Sequence, residues 1–595
     1  AGAAVDRELT LKCAFLPQTD LGNLERFLMR YGQDFLFVEA WGWLAWDGKR
    51  WNRDMALPLL GAAVHKTMRA IQEEAELIRT SGVPWPPEGG FPVDDGADDD
   101  DEDADMFRRS DAKKAERKRK NILWWRQREL ARKSDNAGER LDAIVNIKSN
   151  GDIVLLSDKV AAWGRTSEGA GHISCIAKLA EAQLSARTQD FDADPLLLNM
   201  LNGTIVFARP QGPRRASVSL REHRREDRIT KIGAAIFDPK AMCPLFDRFL
   251  EGVQPEADMR EFLDDWAGYN SLGLADAQKM ALFYGEGSNG KGVWVNTTAF
   301  ILGDYAWSTG IETFMDAGRT RKGSDASPDL AALAGRRMVY ANEPEDQSKF
   351  ADGLVKSLTS DEPKGGVREL MKPPFELQIT FTNTVMANNM PKISTDHGIQ
   401  RRIQVVPWVI IIPDEEQDLQ LKAKLRDEAS GILNRMVKGA LRYLDRGLLI
   451  PQAVKEATRE YQRENDPLGR FIDLCVARVK GQTVGATPFH RVFAAWQHWA
   501  GQLPQSGKPW SAKFLNQQMQ RKSFKIAKSN TMQWQDIALR YEELDFVSID
   551  DKDRMTPREG DLPPPRTFEG EAAPPAPAPS PAPSPEDDPA WDVPP

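Results

Sequence analysis

The chain has 595 residues, 41% hydrophobic and 28% charged, with a formal net charge of −9. That length exceeds one hydrophobic core and predicts about three or four domains. No uninterrupted apolar run approaches the ~20 residues that cross a bilayer, and Cys13, Cys175, Cys243 and Cys475 lack metal-site or paired spacing, which argues against zinc and disulfides and suits a reducing cytoplasm.

Ala1 to Thr10 fits neither a signal peptide nor a basic transit segment. The charge is uneven. Residues 94–105 carry nine acids and no base, residues 559–595 carry eight acids and one arginine, and the remainder is therefore at +7. A mildly basic body with two acidic appendages is compatible with nucleic acid.

In chain order, Leu21 to Tyr31 is helix-like. The aromatic stretch from Phe35 through Trp41, Trp43 and Trp46 to Trp51 alternates like a sheet, with a hairpin signal at Asp47-Gly48. Those tryptophans read as the core of a small sheet, the alternative being base stacking. Pro84 to Asp105 is Pro/Gly-rich and then acidic, the composition of a disordered insertion. Arg108 to Lys133, with Trp124-Trp125, is a basic helix that either touches DNA or is solvated. Asp190, Asp192 and Asp194 are either a metal-binding alternation or an Asp-rich turn before the strand-like Leu196 to Phe207, which holds Asn199 and Asn202-Gly203. Arg214 to Arg228 reads as a basic surface loop.

From Lys279 to about Pro413, short apolar strands alternate with helices, as in an α/β nucleotide-binding core. Met280 to Tyr284 is a buried strand, Gly285-Glu286-Gly287-Ser288-Asn289-Gly290-Lys291-Gly292 a glycine loop, and Val293 to Leu302 a helix stopping at Gly303. Glycines let backbone N–H groups turn around a polyphosphate, the helix dipole favours the anion, and the Lys291 ammonium can offset the terminal charge. A plain glycine turn is the competing reading. Gly292 stands where a hydroxyl usually touches magnesium, and the nearest downstream hydroxyls are Thr297 and Thr298.

A nucleoside triphosphatase also needs a carboxylate on a strand beside the loop. Arg336 to Glu343 is an apolar strand ending in Asn342 and Glu343, with Glu345 and Asp346 as alternates; an ordinary strand-end glutamate is equally compatible. A further strand, Leu377 to Ala387, ends in Asn388-Asn389-Met390-Pro391, where an amide could orient water or sense phosphate. Arg401-Arg402 leads into another strand and could reach a neighbouring subunit, or be an exposed basic pair. Asp414 to Leu449 is helical with Gly431, Gly439 and Gly447 as interruptions. Pro467 to Ile549 is a basic, Trp-bearing unit in which Phe489 to Trp499 is an amphipathic helix and Trp510 to Phe524 a polar, basic one. From about Thr556 the Pro/Ala/acidic tail is expected to be disordered.

Loop, glutamate, asparagine and arginine pair in that order over 285–402 resemble the superfamily 3 helicases, specifically the helicase portion of the phage, plasmid and poxvirus-type primase-helicases. Leu354 to Asp361 looks like that family's intervening segment, although Ser360-Asp361 departs from its usual glycines. Thr19 to Asn23, Trp43 to Trp51 and Asp190 to Phe207 look like its N-terminal associated region. The likeness covers roughly residues 15–540.

The resemblance implies an α/β P-loop (AAA+-like) ATPase core, flanked by an α+β N-terminal domain and a C-terminal winged-helix-like domain. The corresponding division is 1–92 with 136–240 for the associated region, 93–135 for an acidic/basic insertion, and 241–415 for the motor. A helical extension at 416–466, the winged-helix-like domain at 467–555 and a tail at 556–595 complete it. It also implies ATP with Mg2+, held by residues 285–292 and by Glu343, which doubles as general base. Asn388, Arg401 and Arg402 would complete catalysis, Lys356 and Lys372 would face DNA in a central pore, and a hairpin near Glu369 to Pro374 would move along one strand. Lys513, Arg521 and Lys522 would contact DNA from the C-terminal domain, for which a plain packing module is the alternative. The implied assembly is a homo-oligomer, expected in the family's hexameric form, working on DNA in the cytoplasm of a bacterial host with a separate primase or polymerase and no membrane. Two other readings stay open: a different DNA motor ATPase, and an origin or replisome adaptor whose ATP site is degenerate.

Overall fold

The computed structural model describes residues 2–81, 142, 144–147, 153–316, 318, 325–342, 348–503, 507–528, 531–549 and 555–569. The acidic run 94–105, the basic segment 108–133, and Glu343, Glu345 and Asp346 lie outside the described residues. Among the described residues no helix is long and apolar enough to cross a membrane.

The N-terminal part begins with a helix at Gly2–Ala14 and a second at Asp20–Tyr31, whose first turn is capped by the Thr19 hydroxyl accepting from Gly22 N–H at 3.1 Å. Three antiparallel strands follow, Phe35–Val38, Gly42–Trp46 and Trp51–Asn52, with the predicted Asp47-Gly48 turn between the last two. Trp43 and Trp51 are buried, so the aromatic stretch is sheet core rather than a stacking platform. Leu196 to Phe207 divides into two antiparallel strands, Leu197–Met200 and Gly203–Ala208. The basic stretch 214–228 is not all loop: Ser217–Arg221 pairs with Gly203–Ala208, burying Val218.

The central body is organised around a parallel sheet. Its elements are the helix α1 (Ala257–Tyr269), the strand β1 (Met280–Tyr284), the helix α2 (Lys291–Leu302), the strands β2 (Ala306–Ser308), β3 (Met338–Asn342), β4 (Thr382–Ala387) and β5 (Ile403–Pro407), and the helix α3 (Ala429–Arg446). Strand order is β2-β3-β4-β1-β5, every pair parallel. Both faces are covered, which is why the strands are continuous apolar runs: β4 is buried at every residue. This is an α/β core. Leu377 to Ala387 is not one strand, because Phe375–Leu377 pairs with Lys364–Val367 in a separate hairpin and only Thr382–Ala387 enters the sheet.

Gly431 and Gly439 do not interrupt α3. A Cβ on Gly439 would fall 2.0 Å from Asp264 O, and one on Gly268 would fall 2.1 Å from Ala440 N, so α1 and α3 touch backbone to backbone. Trp266 of the same helix donates its indole N–H to Thr384 Oγ1 at 3.0 Å, pinning α1 to β4. Gly439→Ala must push the helices apart. The expected loss is about 1–3 kcal/mol, the usual cost of overpacking, read as a lower denaturation midpoint.

The C-terminal unit runs α4 (Pro467–Cys475), β6 (Val476–Gly485), α5 (Ala486–Trp499), α6 (Ala512–Arg521), β7 (Ile526–Lys528) and β8 (Met532–Leu539), with sheet order β6-β8-β7. Its core holds Phe471, Phe489, Phe493, Trp496 and Trp534. The chain from Thr556 is not disordered throughout: Met555–Pro557 pairs with Val547–Ile549, and Phe568 packs on Ala477, Val479 and Ala538.

Candidate functional site

The loop after β1 is shaped from both sides. Gly290 sits at φ +86, a left-handed conformation that glycine adopts without strain, and a Cβ there would lie 2.9 Å from Val253 Cγ1 and 3.0 Å from Phe249 Cε2. At Gly285 a Cβ would lie 2.1 Å from Trp408 O. Buried Asn289 donates from Nδ2 to Trp408 O at 3.0 Å, and Ser288 O accepts from Ile412 N–H at 2.8 Å, so the segment leaving β5 holds the loop. Gly287 has open space around it, and the only atom near a Cβ on Gly292 would be Asn296 Nδ2 at 3.9 Å.

The loop opens into the N-terminus of α2, a helix of 12 residues. Orphan N–H groups and the positive dipole end therefore face the crevice beyond the C-terminal ends of the strands. That crevice is a switch point. β1 lies between β4 and β5, and such points are where open α/β sheets bind ligands.

Lys291 is buried, and its ammonium donates to Asn388 Oδ1 at 2.9 Å, to Ala387 O at 3.3 Å and to Glu286 O at 3.3 Å, with a further bond to Gly285 O. The loop lysine and the strand-end asparagine, 97 residues apart, thus share one spot. β3 ends at the same edge, since Asn342 is in register with Met386 of β4; Glu343, the next residue, is outside the described set.

The arginine pair is elsewhere. Met280 is in register with Ile403 and Tyr284 with Pro407, so Arg401 and Arg402 sit at the N-terminal end of β5, one strand length of roughly 15 Å from the loop. Exposed Arg401 donates to Gln278 Oε1 at 2.8 Å; Arg402, 9% exposed, donates to the same oxygen at 3.3 Å and to Gly398 O at 2.8 Å. Burial, with Arg401 alongside, lowers the Arg402 guanidinium's pKa. Neither can serve the loop of its own chain.

The candidate DNA-facing lysines are tied into the protein. Lys356 pairs with Asp396 at 2.6 Å, and Asp396 caps the short helix that leads to Arg401. That Lys356 bond holds the Asp396 carboxyl below its usual range. Lys372 pairs with Glu369 at 2.9 Å in the connection of the 364–377 hairpin, where Leu370 and Met371 are exposed. Arg53 of the N-terminal part reaches the same Glu369 at 3.0 Å; nothing in the sequence around Arg53 pointed to that link. In the C-terminal unit Lys513 and Arg521 are exposed on α6, whereas Lys522 pairs with Asp466 at 2.5 Å.

The Asp190–Asp194 alternation is a turn. Asp190 pairs with Arg187 and Arg228, Asp192 accepts from Thr230 N–H and hydroxyl at 2.8 and 2.6 Å, and Asp194 accepts from Leu196 N–H at 2.9 Å. Among the described residues no group of three or more His, Cys, Asp or Glu side chains is placed to hold a metal ion.

Residues 25–255 match the family described as "D5 N terminal like". The matched span ends before α1 and excludes the loop. The chain is 27% identical over 255 residues to "Putative helicase L207/L206" of Acanthamoeba polyphaga mimivirus, covering 40% of this chain and 26% of that protein. It is 26% identical over 268 residues to "Putative helicase 022R" of Frog virus 3 (isolate Goorha), covering 42% of this chain and 27% of that protein. The matches thus span about a quarter of the length of these relatives. Among solved structures, the apo C-terminal region (305-718) of NrS-1 aligns over 56% of this chain and 96% of that chain at 11% identity, with a TM-score of 0.32. At that value the fold assignment rests on the sheet itself.

Proposed function

We propose that the chain is an ATP-dependent DNA helicase or translocase of superfamily 3 type, acting in replication of a mobile or viral genome and working as a ring, with six subunits as the expected number. The observation that carries this reading is the meeting of Lys291 with Asn388 at the mouth of a glycine loop, over the C-terminal edge of a five-stranded parallel sheet. The loop's N–H groups and the α2 terminus would cradle the phosphates of ATP, with the Lys291 ammonium on the terminal ones. Asn388 would orient the attacking water or sense the γ-phosphate. Glu343 would be the general base and would share Mg2+ with water, because position 292 offers no hydroxyl. When bound, the metal would offset phosphate charge.

Arg401, exposed at the far edge of the sheet, would complete the site of a neighbouring subunit. Buried Arg402 would instead hold the Gln278–Gly398 corner that aims it. The helix–strand–helix–helix–strand–strand order of 467–539 supports the winged-helix reading, with Lys513 and Arg521 of α6 as its phosphate contacts. The hairpin, with Leu370 and Met371 at its tip, would grip single-stranded DNA in the pore. The names of the two viral relatives agree with this class of activity.

The missing hydroxyl at Gly292 favours a second reading, an adaptor that binds nucleotide without turning it over. A forked duplex separates the two. The motor displaces a strand with ATP and not with a non-hydrolysable analogue; an adaptor displaces none under either condition.

A further inference from the structure

A cavity of about 300 Å3 lies between the N-terminal part and the edge of the central sheet. Arg50, Arg53, Lys231 and Arg336 line it, against the carboxylates of Asp54 and Asp304. Arg50 pairs with Asp304 and with Asp47, and Arg53 with Glu369. The other two cations are different. Among the described residues, no carboxylate stands within ion-pair distance of Lys231 or Arg336. The Lys231 ammonium donates to the neutral Thr230 hydroxyl at 2.9 Å, and Arg336 donates to the carbonyls of Ala332 and Asp304 while stacking on Trp307 at 4.4 Å. Burial pushes Lys231 down to about 8, with Arg336, Arg53 and Arg50 adding to the shift and Asp192 opposing it. Burial likewise lowers Arg336 to about 10.

Two half-buried cations with no direct ion-pair partner, facing Asp192 only through the Thr230 hydroxyl in the case of Lys231, gain from an anion that joins them. The cavity is also on the far side of the sheet from the loop. Asp304 precedes β2 and Arg336 precedes β3, so both mark the N-terminal ends of parallel strands, while the loop is at the C-terminal ends. Arg53 links the cavity directly to the hairpin through Glu369.

We propose that this cavity is a second phosphate-binding site, in which Lys231, Arg336 and Arg53 take a phosphate group of a nucleotide carried either by a nucleic-acid strand or by a free nucleoside polyphosphate. The planar guanidinium forks suit phosphate oxygens, and the ammonium supplies a point charge. A phosphate on Arg53 would compete with Glu369 and loosen the hairpin's tie to the N-terminal part.

The test uses the full chain carrying Lys291→Ala, so that the loop's ammonium is absent, with and without Lys231→Gln. Inorganic tripolyphosphate should raise the melting temperature of the Lys291→Ala chain, and Lys231→Gln should remove most of that rise. Labelled oligo-dT and labelled ATP then identify the source. If a strand supplies the phosphate, Lys231→Gln weakens oligo-dT about tenfold and lowers the salt slope by about one. If a free nucleotide does, oligo-dT affinity is unchanged and one equivalent of bound ATP disappears. No change in the tripolyphosphate shift, in oligo-dT affinity and in ATP stoichiometry, in a variant that still melts cooperatively, overturns the proposal. Should Lys231→Gln fail to fold, Arg53→Gln, on a half-exposed side chain, carries the same three readouts. None of them is turnover, so a failure of the ATPase reading remains distinguishable.

Discussion

Lys291→Ala is expected to reduce ATP turnover by about two to three orders of magnitude, the scale seen when one preorganised charge stabiliser is removed from a water-poor site. The side chain is 6% exposed and its ammonium is bonded to Asn388, Ala387 O and the loop. It is therefore already positioned before any phosphate arrives, with little left to reorganise. The alanine variant also leaves those oxygens without their donor, so part of the loss will appear as weaker nucleotide binding. Steady-state turnover and nucleotide affinity, measured on the same preparation beside a melting curve, separate the two. DNA binding by the C-terminal unit should be unchanged, since α6 lies in a different core.

Arg401→Ala is expected to reduce turnover by about three orders of magnitude, the range of a trans-acting arginine, while each subunit still binds ATP. The reason is placement. Arg401 is exposed and stands at the N-terminal end of β5, whereas its own loop follows the C-terminal end of the neighbouring β1. The decisive form of the experiment mixes two inactive chains. Lys291→Ala keeps the arginine and Arg401→Ala keeps the loop. Random assembly would place an intact loop against an intact arginine at about a quarter of the heterologous interfaces. Turnover should reappear to about that fraction on mixing. Two dead chains that stay dead when mixed, yet co-assemble, would remove Arg401 from the site.

The sheet and the loop were legible because their signals are local. Met280 to Tyr284 is apolar on both faces, and glycines punctuate both ends of the helix at 291–302. The break between Phe375–Leu377 and Thr382–Ala387 was not legible, because an apolar run records burial and not which partner strand changes. Gly431 and Gly439 misled for the same reason. They weaken an isolated helix, but here the absent Cβ at Gly439 is what lets α1 and α3 meet, and at Gly431 it is what admits the Met242–Cys243 backbone; both requirements belong to partners far away in the chain. The sequence offered the arginine pair as a reach to a neighbouring subunit or as an exposed basic pair, and only the strand register puts it at the opposite end of the sheet from the loop and the asparagine. The cavity cations, drawn from positions 50, 53, 231 and 336, share no pattern along the chain.

On the proposed reading, this chain turns over ATP in response to a DNA strand. Steady-state ATP hydrolysis by the full chain, with and without single-stranded DNA, tests it most directly. Turnover should rise several-fold with DNA, and Glu343→Gln should abolish it. Nucleotide binding without turnover, in the presence and absence of DNA alike, would contradict it.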